Sequence, residues 1–100
     1  MTHMILAICN NGFADEVMEV AKKAGARGGT ILHGRGSVQK DALQFLSITI
    51  EPEKEVVIII VGEEKNNIMQ TIQTELGVGT KAHTICLSLP VDGVAGINIE

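Results

Sequence analysis

The chain has 100 residues, 45% of them apolar and only 2% aromatic, with no Trp or Tyr and a formal charge of -4. That length makes one domain, residues 1–100, whose core has to be built from Ile, Val, Leu and Met. The acidic balance and the lack of stacking platforms argue against a general nucleic-acid binder.

Met4 to Cys9 is a short apolar run before an Asn-Asn-Gly turn signal and predicts the first strand. Asp15 is placed to cap a helix, with Phe13 as a staple ahead of it. Val17, Val20, Ala21 and Ala24 give that helix its stripe, Lys22 and Lys23 suit its last turn, and Gly25 stops it. Gly29 to His33 reads as a second strand and Gly34 to Lys40 as a loop. Leu46, Ile48 and Ile50 alternate with polar residues as a strand arm, and Pro52-Glu53-Lys54 makes a turn. Glu51, Glu53 and Glu55 read as a solvated face around that turn.

Val56 to Val61 is apolar at every position and predicts a third strand buried on both faces. It is far too short to span a bilayer. Glu63 and Glu64 suit the start of a second helix, Ile68, Ile72 and Leu76 form its stripe, and Gly77 ends it. His83, Ile85, Leu87 and Leu89 alternate with Thr84, Cys86 and Ser88 in a fourth strand, before a tail from Pro90. No basic region precedes the apolar N-terminal stretch, so it is a poor signal peptide and the expected location is cytoplasmic. Cys9 and Cys86 read as buried thiols in neighbouring strands rather than as a disulfide framework.

The order β-α-β-β-α-β predicts an α+β, ferredoxin-like sandwich: a four-stranded antiparallel sheet with both helices on one face. Two helices about 10 Å across cover one face of a sheet roughly 20 Å wide. Nothing in the chain remains to cover the other face, although the third strand is apolar on both. The sequence therefore predicts a homo-oligomer that packs sheet against sheet.

Five glycines fall between Gly25 and Gly36, among Lys22, Lys23, Arg27, Arg35 and Lys40, and no carboxylate lies between Val20 and Lys40. Bare backbone N–H groups beside cationic side chains favour an anion. Gly29 to Gly36 misses the P-loop pattern, because Arg35 and Gly36 stand where Lys and Ser/Thr belong and a strand lies inside it. Gly34 to Gln39 lacks the third glycine of a dinucleotide fingerprint. There remains a phosphate pocket built by Arg35, Gly36, Gln39 and Lys40, which a helix stop followed by a hairpin loop explains equally well. Gly79 and Lys81, after the second helix, offer a second clamp that could meet the first across a subunit cleft.

His3, His33, His83, Cys9 and Cys86 are potential metal ligands, but none has close ligand spacing and no metal is expected. No nucleophile elbow, triad spacing or paired carboxylates point to an enzyme.

Gly25-Ala-Arg-Gly28-Gly29-Thr30 running to Arg35-Gly36, then Gln39-Lys40, resembles the PII nitrogen-regulatory (GlnB-like) family. Leu46 to Glu64 and Leu89 to Val94 resemble later parts of the same pattern, so the similarity covers most of the chain. The resemblance implies a homotrimer that binds ATP, ADP or AMP between subunits and docks a loop, here residues 36–45, onto a transporter or enzyme. It implies Gly28, Gly29 and Thr30 near adenine, Arg35, Gly36, Gln39 and Lys40 near the phosphates, and Gly79 and Lys81 in the second loop. Four departures stand out. The 36–45 loop is short, there is no tyrosine to uridylylate, the second loop keeps only Gly79-Thr80-Lys81, and Val94 to Ile97 replaces the expected C-terminal arginines. A charge-assisted hydrogen bond contributes about 1.5–3 kcal/mol, so losing two weakens triphosphate binding by orders of magnitude. The alternative is a CutA-like metal-binding or structural trimer without nucleotide, which shares the fold.

Overall fold

A computed structural model describes residues 1–36 and 53–97. These form β1 (His3–Asn10), α1 (Ala14–Lys23), β2 (Thr30–Arg35), β3 (Glu53–Val61), α2 (Lys65–Leu76) and β4 (Ile85–Pro90). The strands make one antiparallel sheet in the order β2-β3-β1-β4, and both helices pack on one of its faces. This is the predicted ferredoxin-like arrangement. The predicted arm at 46–51, with Gln39, Lys40 and Pro52, lies outside the described residues.

The core sits between helices and sheet. Ile5, Ala7 and Cys9 of β1 and Val57, Ile59 and Val61 of β3 point toward the helices and are buried. Val17, Met18, Val20 and Ala21 of α1 meet them, as do Ile68, Ile72 and Leu76 of α2. Each such aliphatic side chain contributes about 1.5–3 kcal/mol on burial.

α1 ends as its sequence predicts. Gly25 takes a φ of +123°, the Gly25 N–H donates to the Lys22 carbonyl, and the Ala26 N–H donates to the Ala21 carbonyl at 2.9 Å. These two bonds make a Schellman motif, which satisfies carbonyls the helix leaves open. Asn67 of α2 adds its amide to the Ala24 carbonyl at 2.9 Å.

The start of α1 differs from expectation. Asp15 lies within the first turn, the N-cap is Phe13, and no local side chain caps it. The acceptor comes from β3: Oε1 of Glu55 takes the N–H groups of Gly12 at 2.6 Å and Ala14 at 3.1 Å. Glu55 is therefore buried rather than part of a solvated face, while Glu53 is exposed. Strand alternation turns the Glu55 side chain inward, and the N-terminal end of α1 meets it with partial positive charge.

Three strand boundaries also shift. Gly34 and Arg35 continue β2 because they pair with Lys54 and Glu53, which extend β3 back through the expected turn. β4 begins only at Ile85, because His83 takes a left-handed φ of 46° in a turn closed by its N–H on the Thr80 carbonyl.

Register places Cys86 opposite Ala7, with Cys9 two residues along β1. Both thiols are free, and burial pushes the Cys9 thiol up to about 11, with the Glu55 carboxylate adding to it and Lys54 opposing. A thiol whose folded pKa is raised favours folding fully below its unfolded value near 9. That contribution is lost as pH rises through about 11. Stability is thus expected to fall between those values in urea titrations, and to fall less in Cys9→Ala.

The opposite sheet face carries no element of the described chain. Met4, Leu6 and Ile8 of β1 pair with Ile60, Ile58 and Val56 of β3 and with Leu89, Leu87 and Ile85 of β4 on that face. Leu32 of β2 joins them through its pairing with Val56. Leu32, Ile85, Leu87 and Leu89 are between 39% and 50% exposed. An aliphatic face of this extent is unusual on a soluble monomer.

Candidate functional site

Two concave regions lie at opposite ends of β2. The larger is a cavity of about 330 Å³, lined by Gly25 to Thr30, by Ile58, Ile60, Val61 and Gly62, by Glu64, and by Ile97 of the tail. The Schellman turn after α1 sets one wall. Gly29 sets how closely β2 can start beside β3: a β-carbon there would come within 2.6 Å of the Ile58 carbonyl oxygen. Glu64, the N-cap residue of α2, borders the same wall, its Cγ 3.0 Å from where a β-carbon on Gly25 would sit. The cavity thus combines aliphatic walls, glycine backbone, one guanidinium (Arg27) and one carboxylate (Glu64).

The second region, a cleft of about 280 Å³, lies at the far end of β2 between His33, Gly34, Arg35 and Glu53. Nδ1 of His33 is 3.9 Å from Oε2 of Glu55, but the imidazole is 78% exposed, so this pair contributes little. Gly36 follows, packed on the aliphatic stem of Lys54. The Lys54 ammonium donates to Oδ1 of Asn10 at 2.6 Å, and the Asn10 amide donates to the Lys81 carbonyl at 2.9 Å. The turn holding Gly79 and Lys81 is fixed by Thr80, whose hydroxyl donates to the Gly77 carbonyl at 2.7 Å. Gly79 itself has a φ of +99°.

The predicted residues therefore fall into two groups within one chain. Gly28, Gly29 and Thr30 line the larger cavity. Arg35 and Gly36 lie at the other end of β2, five residues or about 17 Å along at the strand rise, and the turn of Gly79 and Lys81 meets Asn10 at the same end of β1. Gln39 and Lys40 lie outside the described residues. The sequence leaves Lys81 to meet the Arg35 loop from a neighbouring copy. Within one chain the Lys81 turn is bonded to Asn10 of β1, Asn10 to Lys54 of β3, and Gly36 packs on the Lys54 stem.

Sequence reasoning missed Glu64, Ile58, Ile60 and Ile97 as cavity walls, and Asn10 and Lys54 as the link at the far end. Lys54 was legible only as part of a turn, and Asn10 only as a turn former. Among the described residues no three or more His, Cys, Asp or Glu come together as a metal could require. No helix among them is long and apolar enough to cross a membrane.

This geometry is that of the PII fold. The structure matches B. subtilis GlnK at a TM-score of 0.65 and 12% identity, over 91% of this chain and 85% of that one. It matches Arabidopsis thaliana PII bound to citrate at 0.67 and 22%, over 90% and 74%. It matches a B. subtilis GlnK–ATP complex at 0.62 and 14%, over 88% and 79%. At these identities the likeness is one of fold. No protein-family model matches the sequence, and no curated protein matches it.

Proposed function

We propose that this chain is a PII-like regulatory protein, not an enzyme, which works in the cytoplasm as a homotrimer. It takes a small anionic metabolite, an adenine nucleotide, in the clefts between subunits, and acts on a protein partner through residues 36–45. The observation that carries this reading is the separation of the candidate residues. One end of the sheet offers an apolar, glycine-walled cavity, which we read as the base site, and the other holds the Lys54 ammonium together with the strand end of Arg35 and the turn of Lys81, which we read as the phosphate site. The two ends lie too far apart for one small molecule in one chain, but they can meet when the uncovered sheet faces of several copies pack together. Matches to a GlnK–ATP complex and a citrate-bound PII agree with an anionic ligand.

The tail supports a ligand bound more weakly than a fully clamped triphosphate, because it contributes Ile97, an apolar side chain, to the cavity wall. A thermal-shift series with ATP, ADP and AMP tests the ligand. At millimolar nucleotide at least one is expected to raise the melting temperature, and Lys81→Ala and Lys40→Ala are expected to reduce the gain. No shift with any of the three would sink the nucleotide assignment.

A further inference from the structure

Two side chains connect the Gly36 end of β2 to the turn after α2. A β-carbon on Gly36 would lie 3.2 Å from both Cγ and Cε of Lys54. Gly36 does not take a positive φ. A side chain there would press on the Lys54 stem, which would have to give by a few tenths of an ångström. Beyond Gly36 the Lys54 ammonium reaches Oδ1 of Asn10 at 2.6 Å. Nδ2 of Asn10 then reaches the Lys81 carbonyl at 2.9 Å, and the Asn10 backbone N–H reaches the Ala82 carbonyl at 2.9 Å.

The orientation of that amide is dictated by its partners. An ammonium can only donate and a carbonyl can only accept, so Lys54 holds the Asn10 oxygen and thereby aims its nitrogen at the turn. Lys54 is also out of pattern. It shares the open sheet face with Val56, Ile58 and Ile60, where an aliphatic residue would pack as well. Among the described residues the ammonium has one partner, Asn10, of the three its protons can take.

We infer that Asn10 is a positioning residue which, through Lys54, couples the Gly36 end of β2 to the 77–83 turn, so that an anion engaged by one is felt by the other. The inference rests on the reading above that these two elements hold the anionic part of the ligand.

Amide hydrogen exchange on the full chain tests it, first without ligand. The Thr80 and His83 amides are bonded within the turn and report its opening. Lys54→Met keeps the stem and removes the ammonium, and the Lys54 side chain has no hydrogen bond to the turn itself. It is expected to speed exchange at Thr80 and His83 about three- to tenfold, the loss of one ordinary hydrogen bond. Ile5 and Ile59 in the core should be unaffected. Asn10→Asp keeps an acceptor for Lys54 but loses the donor to Lys81, and it should loosen the turn to the same degree. Unchanged Thr80 and His83 in Lys54→Met would overturn the coupling.

The second arm adds sodium tripolyphosphate. Exchange should slow at Gly36 and Thr80 together in the native chain, and at only one of them in Asn10→Asp. Slowing at both in the variant overturns the ligand half of the inference. No slowing in the native chain overturns both that half and the anionic-ligand reading, while the ligand-free arm still decides whether Lys54 and Asn10 couple the two elements.

Discussion

Glu55→Ala is expected to lower folding stability by about 2–4 kcal/mol, one of the largest effects of any single substitution away from the apolar core. Its Oε1 takes the backbone N–H groups of Gly12 and Ala14, the latter bond buried. Removing the carboxylate leaves both donors without their acceptor, at about 1–3 kcal/mol for each that stays dry, and removes a negative charge from a helix N-terminus. Glu55→Gln keeps one acceptor oxygen and is expected to cost only about 1 kcal/mol. His33→Ala is the control: the imidazole is exposed and 3.9 Å from Oε2, so its loss should be within about 0.5 kcal/mol. Urea denaturation of the three variants measures the series. A Glu55→Ala value as small as that of His33→Ala would show that water, not Glu55, satisfies the helix.

Leu87→Asp is expected to break the assembly while leaving the chain folded. Leu87 is 39% exposed in the single chain, opposite Leu6 on the open face, so a carboxylate there can reach water in a monomer. In an assembly that packs sheet against sheet, the same carboxylate repeats in every subunit inside an apolar interface. Burying an unpaired charge costs several kcal/mol. Sedimentation of the native chain should give about three times the 10.6 kDa chain mass, and the variant should run at the chain mass with unchanged far-ultraviolet circular dichroism. A native chain that already sediments at 10.6 kDa would remove the basis for the inter-subunit site.

Particular residues explain what the sequence could and could not convey. The sheet and helices were legible because their apolar periods are clean: Val17, Val20 and Ala21 on α1, Ile68, Ile72 and Leu76 on α2, and alternation in β4. The open apolar face was legible too, since Val56 to Val61 has no polar side and two helices cover only one face. Gly25 carried its own meaning, because a helix stop is local chemistry. The cap of α1 was not legible: the residue that performs it, Glu55, is 41 positions from Ala14 and becomes its neighbour only through the β1–β3 ladder. The division of the glycine-rich motif was legible as well, because the strand predicted inside it sets Gly28 to Thr30 and Arg35 to Gly36 at opposite ends of β2. Asn10 and Lys54 read in the sequence only as turn residues, and only the register of β1 on β3 sets them side by side.

Native mass spectrometry during an ATP or ADP titration decides whether a ligand site is completed between copies of this chain. The native chain is expected to be a trimer that takes up to three nucleotides, and Leu87→Asp a monomer that takes none. A native chain that is monomeric, a trimer that stays empty at millimolar nucleotide, or a monomeric variant that binds as well as the native protein would contradict a shared site.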